Sequence, residues 1–176
     1  MILLAHLLFG AVIGSLVKNI YLAVILAFLS HYLLDILPHI EYPIENIHPV
    51  KYREAVISPK AKLFDWVKEK QWKRAIPQII TVILDFLAGI LLIILLSKNY
   101  PIIYACAFFA ILPDGFTVLN IIFPTKFLEP FQKFHQKIHF LKNNSSTSSG
   151  QIKISNFWRI SSQIIVAFIS IIILKL

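Results

Sequence analysis

The sequence predicts an all-α fold: a polytopic membrane helix bundle with about five transmembrane helices and one or two amphipathic helices at the membrane interface. Of its 176 residues, 57% are hydrophobic and only 15% are charged, and the mean hydropathy is +0.74. The apolar residues come in long blocks, without the alternation of a strand or the heptads of a coiled coil. A soluble domain of this length would have too little polar surface to cover several helices that are apolar all round. We therefore expect residues 1–176 to form a single integral membrane domain.

The apolar blocks predict where the five spans lie. The first two blocks are shorter than about 20 residues, the length that a span needs, so thin or tilted packing is expected there. Gly10 and Gly14 form a small-xxx-small pair, which predicts that a neighbouring helix approaches the first span closely. The predicted spans are residues 2–17, 20–37, 76–97, 100–123 and 157–174.

Two polar segments, residues 38–75 and 124–156, connect the predicted spans. Residues 60–74 are rich in Lys and Trp, a composition typical of an amphipathic helix that lies at the membrane interface. In residues 126–141 the apolar side chains recur at helical spacing, which predicts a second helix of this kind.

The basic residues predict how the bundle is oriented. All but three of the 17 Lys and Arg residues fall within or beside these two segments; the exceptions are Lys18, Lys98 and Lys175. By the positive-inside rule both segments are cytoplasmic, with the N-terminus inside and the C-terminus outside a prokaryotic inner membrane. Orientation and attraction to anionic lipid then explain the net charge of +8. We expect membrane lipid as a partner and no nucleic acid, because no nucleic-acid-binding motif is present; the oligomeric state is not predicted.

The strongest functional signal lies at the end of the second apolar block. His31, Asp35 and His39 follow one another at four-residue steps, which places them on one face of a helix. Ionisable residues in a membrane span are costly and usually face the interior of a bundle or a wet cavity. The alternating topology brings further ionisable residues to the same, cytoplasmic side. These are His6, Asp85 and Asp114 in the other spans, with His135 and His139 on the following amphipathic helix.

Together these residues predict a metal site. Imidazole with carboxylate suits Zn²⁺, a larger carboxylate share admits Mn²⁺ or Fe²⁺, and two ions are possible with so many ligands. A divalent metal would lower the pKa of a bound water, and a spare His or Asp would act as general base. We assign catalytic roles to Asp35, Asp85 and His139. The predicted metal ligands are His6, His31, Asp35, His39, Asp85, Asp114, His135 and His139.

Several of these residues have a simpler interpretation. His6 could lie in the headgroup region, and His39 and Asp114 each follow a proline and could cap a broken helix. Asp35 and Asp85 are harder to explain in this way, since both are flanked by apolar residues and a lone buried carboxylate needs a proton, a cation or a partner. The sequence does not decide whether Glu41 and Glu45 are outer ligands or loop charges, and it favours a solvent-facing position for His48.

Three motifs resemble those of a known family. His6 followed by Gly10, the Leu-Pro-Asp at residues 112–114 and the His-Gln-Lys-Ile-His at residues 135–139 are similar to the pattern of the YdjM-like (LexA-binding) inner-membrane proteins, a family of metal-dependent hydrolases. That family pairs an early His in a first helix with a later Leu-Pro-Asp and a His-Arg-x-x-x-His element. The resemblance implies a metal-dependent hydrolase for this chain.

The match covers scattered motifs from residue 6 to residue 139 and omits the last span. Gly115 follows Asp114 where the family continues toward a second Asp and a His, and residues 135–139 lack the family's Arg. In the family, one Leu-Pro-Asp-x-Asp-His motif supplies the acidic and histidine side chains. Here we expect the Leu-Pro-His at residues 37–39 to supply part of that set.

Three functions are compatible with these patterns. The first is a membrane-embedded, metal-dependent hydrolase at the cytoplasmic interface, acting on a phosphoester or similar bond of a lipid or lipid-linked, phosphorylated substrate. The second is a small transporter or channel subunit whose Asp and His residues carry protons or a cation. The third is a non-enzymatic membrane scaffold whose polar groups hold the helices together. No nucleophile elbow, phosphate-binding Gly loop, zincin or dinucleotide motif is present, so those enzyme classes are excluded.

Overall fold

The chain folds into helices. The computed structural model describes residues 3–37, 39, 72–98, 100–122, 125–144 and 156–176, and within these ranges the regular structure is entirely α-helical, as predicted. The helices are α1 (Leu3–Leu16), α2 (Ile20–Ile36), α3 (Trp72–Leu96), α4 (Pro101–Ile122), α5 (Glu129–Asn144) and α6 (Asn156–Lys175).

Three of these helices are long and apolar enough to cross a membrane. The qualifying stretches are Ile79–Leu96, Pro101–Asn120 and Phe157–Lys175. Helices α1 and α2 are also apolar but have only 14 and 17 residues. Fourteen helical residues extend about 21 Å, whereas the hydrocarbon core of a bilayer is about 30 Å thick. Three of the five predicted spans are therefore long and apolar enough to cross a membrane, and the count of about five is not confirmed.

Helix α1 lies at the centre of the bundle and packs against α2, α3, α4 and α6. Its central position explains why its sequence shows no polar face, since a helix that is apolar all round is a buried one. Leu7, Leu8, Ala11 and Val12 of α1 belong to the main hydrophobic core. His6 sits in the same buried stretch, and its side chain is fully buried inside the bundle.

Glycines allow α1 and α4 to come together. A Cβ atom on Gly10 would lie 2.6 Å from the carbonyl oxygen of Cys106, and one on Gly14 would lie 2.8 Å from the Cα of Ile103. Both distances are too short for any other residue. The predicted close approach at the small-xxx-small pair is thus found between α1 and α4.

The outside of the bundle is apolar. Helix α2 exposes large aliphatic side chains along one side, while its buried side carries alanines and the polar residues near its end. Helices α3 and α6 also expose rows of Ile and Leu. An apolar exterior around buried polar groups is the arrangement expected of helices that face lipid.

Helix α5 covers the ends of α2 and α4. Its rings pack on theirs: Phe131 lies 5.3 Å from Phe116 of α4, and Phe134 lies 5.0 Å from Tyr32 of α2, measured between ring centroids. The amphipathic helix predicted for residues 126–141 is therefore present, beginning three residues later. Most of the other predicted amphipathic helix, residues 60–74, lies outside the described residues; Trp72 begins α3, four residues before the predicted start of that span.

Candidate metal centre

The end of α2 supplies the central carboxylate. Asp35 is 1% exposed, and the helical repeat brings the Nε2 atom of His31 to 3.1 Å from its Oδ2 atom. The helix ends at Ile36, so His39 lies beyond it and does not continue the helical face. Its ring nevertheless turns back: Nδ1 donates to the carbonyl of Leu37 at 2.7 Å, and Nε2 lies 4.0 Å from Asp35 Oδ1.

Helix α4 contributes a second carboxylate next to a proline. Pro113 has no N–H to donate, and its ring disturbs the helix at the preceding turn. The carbonyl of Ala110, on that turn, accepts a hydrogen bond from His31 Nδ1 at 2.9 Å. Asp114, the next residue after the proline, places its Oδ1 atom 3.5 Å from His31 Nε2.

Helix α5 brings His135 onto the same carboxylates. Its Nε2 atom lies 3.0 Å from Asp35 Oδ2 and 3.6 Å from Asp114 Oδ1. Its Nδ1 atom lies 2.9 Å from the hydroxyl oxygen of Thr117, which donates its own hydrogen to the carbonyl of Pro113. Asp35 is a carboxylate and only accepts, so the 3.0 Å bond is donated by the Nε2–H of His135, and Thr117 Oγ1 holds the other side of the ring at Nδ1.

Helix α1 adds His6 from the opposite side. The ring is fully buried and stacks on His31 with 4.3 Å between ring centroids and an angle of 26° between planes. Its Nε2 atom lies 3.4 Å from Asp35 Oδ1. Within the described part of the chain, neither ring nitrogen of His6 has a hydrogen-bond partner.

The spacing of four of these atoms matches a metal coordination shell. His31 Nε2 and His135 Nε2 each lie 3.0–3.6 Å from Asp35 Oδ2 and Asp114 Oδ1. A tetrahedral Zn²⁺ with bonds of about 2.0–2.1 Å separates neighbouring ligand atoms by about 3.3 Å. These four nitrogen–oxygen separations are close to those that a small divalent cation would require of neighbouring ligands.

The position of the ring hydrogen in these histidines also favours a metal site. A carbonyl oxygen only accepts, so His31 carries its hydrogen on Nδ1, and its neutral form has a lone pair on Nε2. That lone pair would face carboxylate oxygens, which also carry only lone pairs. His31 Nε2 is close to both carboxylates yet aligned for a hydrogen bond with neither. Histidines that bind metals typically anchor the other ring N–H on a carbonyl or a similar acceptor, as His31 and His39 do here.

One side of the cluster is open. The side chain of Asp114 is 34% exposed, whereas that of Asp35 is 2% exposed. Structural metal sites are closed by protein ligands, and catalytic sites keep a position that water or substrate can reach. The partial exposure of Asp114 provides such a position.

Asp85 makes a contact away from the groups of side chains that could hold an ion. Asp85 Oδ2 accepts a hydrogen bond of 3.0 Å from the backbone N–H of Leu4, in the first turn of α1, where N–H groups lack partners within the helix. Among the described side chains, two groups could hold an ion: His6, His31 and Asp35 form one, and His31, Asp114 and His135 form the other. His139 lies in α5, but its side chain is outside the described residues, as are Glu41, Glu45 and His48. The predicted roles of Asp85 and His139 stay predictions.

Sequence reasoning missed two groups that support the cluster, Thr117 and the carbonyl of Ala110. A signal for Thr117 was present, because it lies four residues after Pro113, where a hydroxyl can bond the proline carbonyl. Nothing in the sequence marks a backbone carbonyl such as that of Ala110, since every residue has one.

In comparisons with known proteins, no family model, no curated protein and no solved structure matched this chain. The resemblance to the YdjM-like family therefore stays a prediction, and the functional argument depends on the geometry of the cluster.

Proposed function

We propose that this protein is a membrane-embedded, metal-dependent hydrolase. Its divalent cation, Zn²⁺ first and Mn²⁺ or Fe²⁺ as alternatives, is held by the Nε2 atoms of His31 and His135 and by carboxylate oxygens of Asp35 and Asp114. The observation that carries this proposal is the set of four separations of 3.0–3.6 Å between imidazole nitrogens and carboxylate oxygens.

When bound, the cation supplies Lewis-acid chemistry: it polarises the bond to be cleaved and lowers the pKa of water. The protein's own groups orient and accept protons. Ala110 holds His31 in the tautomer that presents Nε2, and Thr117 positions the ring of His135. Asp114 is the carboxylate that entering water can reach, which suits it to accept a proton. Asp35, buried beneath the histidines, serves as a ligand.

We assign the substrate to the phosphoesters of lipids or lipid-linked molecules on the cytoplasmic side of an inner membrane. The cluster lies beneath α5, whose surroundings expose both charge and aromatic rings. Lys126, Lys133 and Lys137 are exposed there and would attract an anionic headgroup. Phe127 and Phe134 are 74% and 53% exposed, and such rings favour the headgroup region of a membrane.

The test combines metal analysis with hydrolysis. The full-length protein is purified in detergent, stripped with a chelator and reloaded with Zn²⁺ or Mn²⁺. Release of phosphate or headgroup is then measured on anionic phospholipid in mixed micelles and on a chromogenic phosphodiester. We expect His31→Gln and Asp114→Asn to lower kcat/KM by on the order of 100-fold or more, because each removes a ligand. Glu129→Gln, which removes an exposed carboxylate on α5, is the matched control and should keep full activity.

Two results would overturn the proposal. One is the absence of stoichiometric transition metal together with a melting temperature that chelation does not change. The other is metal binding without turnover of either substrate after reloading with each metal.

A further inference from the structure

We infer that Asp35 bridges two divalent cations, so that the site is a two-metal centre with one ion on each carboxylate oxygen. This inference deepens the metal site of the proposed function and depends on metal binding there, but not on hydrolysis.

The two oxygens of Asp35 face different histidines. Oδ2 lies 3.1 Å from His31 Nε2 and 3.0 Å from His135 Nε2, which is the ion site already described. Oδ1 lies 3.4 Å from His6 Nε2 and 4.0 Å from His39 Nε2. Each oxygen of Asp35 therefore lies near a different pair of imidazoles. A carboxylate with this arrangement could bridge two ions, with one ion bound to each oxygen.

His6 provides an independent reason for a second ion. Its ring is fully buried at the centre of the bundle, and within the described residues neither of its nitrogens makes a hydrogen bond. A buried imidazole without partners loses its hydrogen bonds to water and gains none in return. Coordination of Nε2 to a cation beside Asp35 Oδ1 would compensate for this loss.

His39 fits the same role. Its Nδ1–H is anchored on the carbonyl of Leu37, which leaves Nε2 to point toward Asp35. This is the anchoring that metal-binding histidines show. His6 Nε2 and Asp35 Oδ1 would be the protein ligands nearest the second ion, with His39 Nε2 4.0 Å from Asp35 Oδ1, and the remaining positions would be left for water or substrate.

The charge balance then narrows the substrate. Two divalent cations carry four positive charges, and the carboxylates of Asp35 and Asp114 neutralise only two of them. The remaining positive charge favours an anionic group held between the ions, and two-metal sites commonly hold phosphoryl oxygens in this way. A phosphoester suits this centre better than a neutral ester or amide.

Metal stoichiometry and electron paramagnetic resonance test the inference. The stripped full-length protein is titrated with Zn²⁺ and with Mn²⁺, and bound metal per chain is measured by elemental analysis after removal of free metal. We expect two ions per chain, and for Mn²⁺ the exchange-coupled spectrum of an adjacent pair. His6→Gln should bind one ion and show the spectrum of isolated Mn²⁺. His39→Gln, which changes a residue outside the helices, should do the same if the buried His6 variant does not fold.

His48→Gln is the matched control, because sequence reasoning places that histidine in solvent, and it should keep two ions. One ion in the unmutated protein, or two ions without coupling, would overturn the bridge. Two ions that persist in both the His6 and His39 variants would also overturn it. One ion with hydrolytic activity would contradict this inference alone, whereas two coupled ions without activity would contradict only the hydrolase. No bound metal would overturn both.

Discussion

The interface between α1, α2 and α4 has two ends of opposite chemistry. At one end the helices meet through small residues: Gly10 and Gly14 of α1 lie against α4, and Ala23 and Ala27 of α2 pack with Cys106. At the other end the same three helices meet through imidazoles and carboxylates. The small-residue end brings the backbones close, and this close approach is what makes the histidines and aspartates converge one or two turns away.

The contrast also separates two of the candidate functions. A cation pathway through this interface would need polar groups along its length. Beyond the cluster, the described contacts of Gly10, Gly14 and Ala27 are with backbone and apolar side chains. This favours a site that is entered from one side, as in a hydrolase, over a conduit. Cation uptake into vesicles tests this choice when the unmutated protein is compared with Asp35→Asn. A hydrolase should show no cation flux in either protein.

The largest effect should come from disturbing the small-residue end. Gly10→Leu places a side chain where even a Cβ would lie 2.6 Å from the Cys106 carbonyl. Overpacking of this kind costs about 1–3 kcal/mol and sometimes more, so we expect loss of the folded bundle together with its metal binding. Thermal unfolding in detergent measures it. Gly115→Leu is the control, because a Cβ there meets nothing within 4 Å, and its melting temperature should not fall. A stable Gly10→Leu protein that still binds metal would show that close approach is not required for convergence.

The second-largest effect should come from changing the imidazole and carboxylate end of this interface. Asp35→Asn removes the carboxylate shared by the histidines, so we expect metal affinity to fall on the order of 100-fold or more. The stability of the metal-free variant should change less than its response to metal, because an Asn oxygen can still accept the hydrogen bond from His135. Melting temperatures with and without Zn²⁺ measure both effects, and Glu129→Gln should change neither. Destabilisation of Asp35→Asn with unchanged metal response would instead indicate a structural polar network.

A smaller effect should follow from loosening one ligand. Thr117→Val removes the hydroxyl that positions His135 Nδ1, and loss of such a supporting bond typically lowers metal affinity about 10–100-fold. Competition with a fluorescent chelator measures the change. Thr81→Val is a close control, because the Thr81 hydroxyl bonds the carbonyl of Pro77 four residues earlier, as Thr117 does with Pro113, but on the exposed part of α3. Equal losses in the two variants would mean that the hydroxyls act only through their helices.

The smallest effect should be that of Asp85→Asn. An Asn oxygen can still accept the hydrogen bond from the Leu4 N–H, so we expect metal affinity to change less than tenfold. Asp85→Leu removes the acceptor and should lower the stability by about 1–2 kcal/mol. Comparing the two variants by metal titration and thermal unfolding separates anchoring of α1 from ligation. Loss of an ion in Asp85→Asn would restore the predicted ligand role of Asp85.

Much of the secondary structure could be predicted from the sequence. The blocks of apolar residues and the prolines delimit all five predicted apolar helices to within four residues. The helical repeat also predicts that His31 and Asp35 share a face, because four residues make about one turn. The number of spans was harder to predict from the sequence. Helix α1 is apolar because other helices surround it, and this burial gives the same sequence pattern as a span that faces lipid.

The sequence by itself therefore determined the all-helical fold, the buried character of the ionisable residues and the pairing of His31 with Asp35, all of which are local properties of pattern and repeat. Only the tertiary structure decided that His6 stacks on His31, that Asp85 holds the first turn of α1, and that the two oxygens of Asp35 face different histidines. These depend on the rotation and separation of helices relative to one another, which the contacts of Gly10 and Gly14 set and which no spacing along one helix encodes.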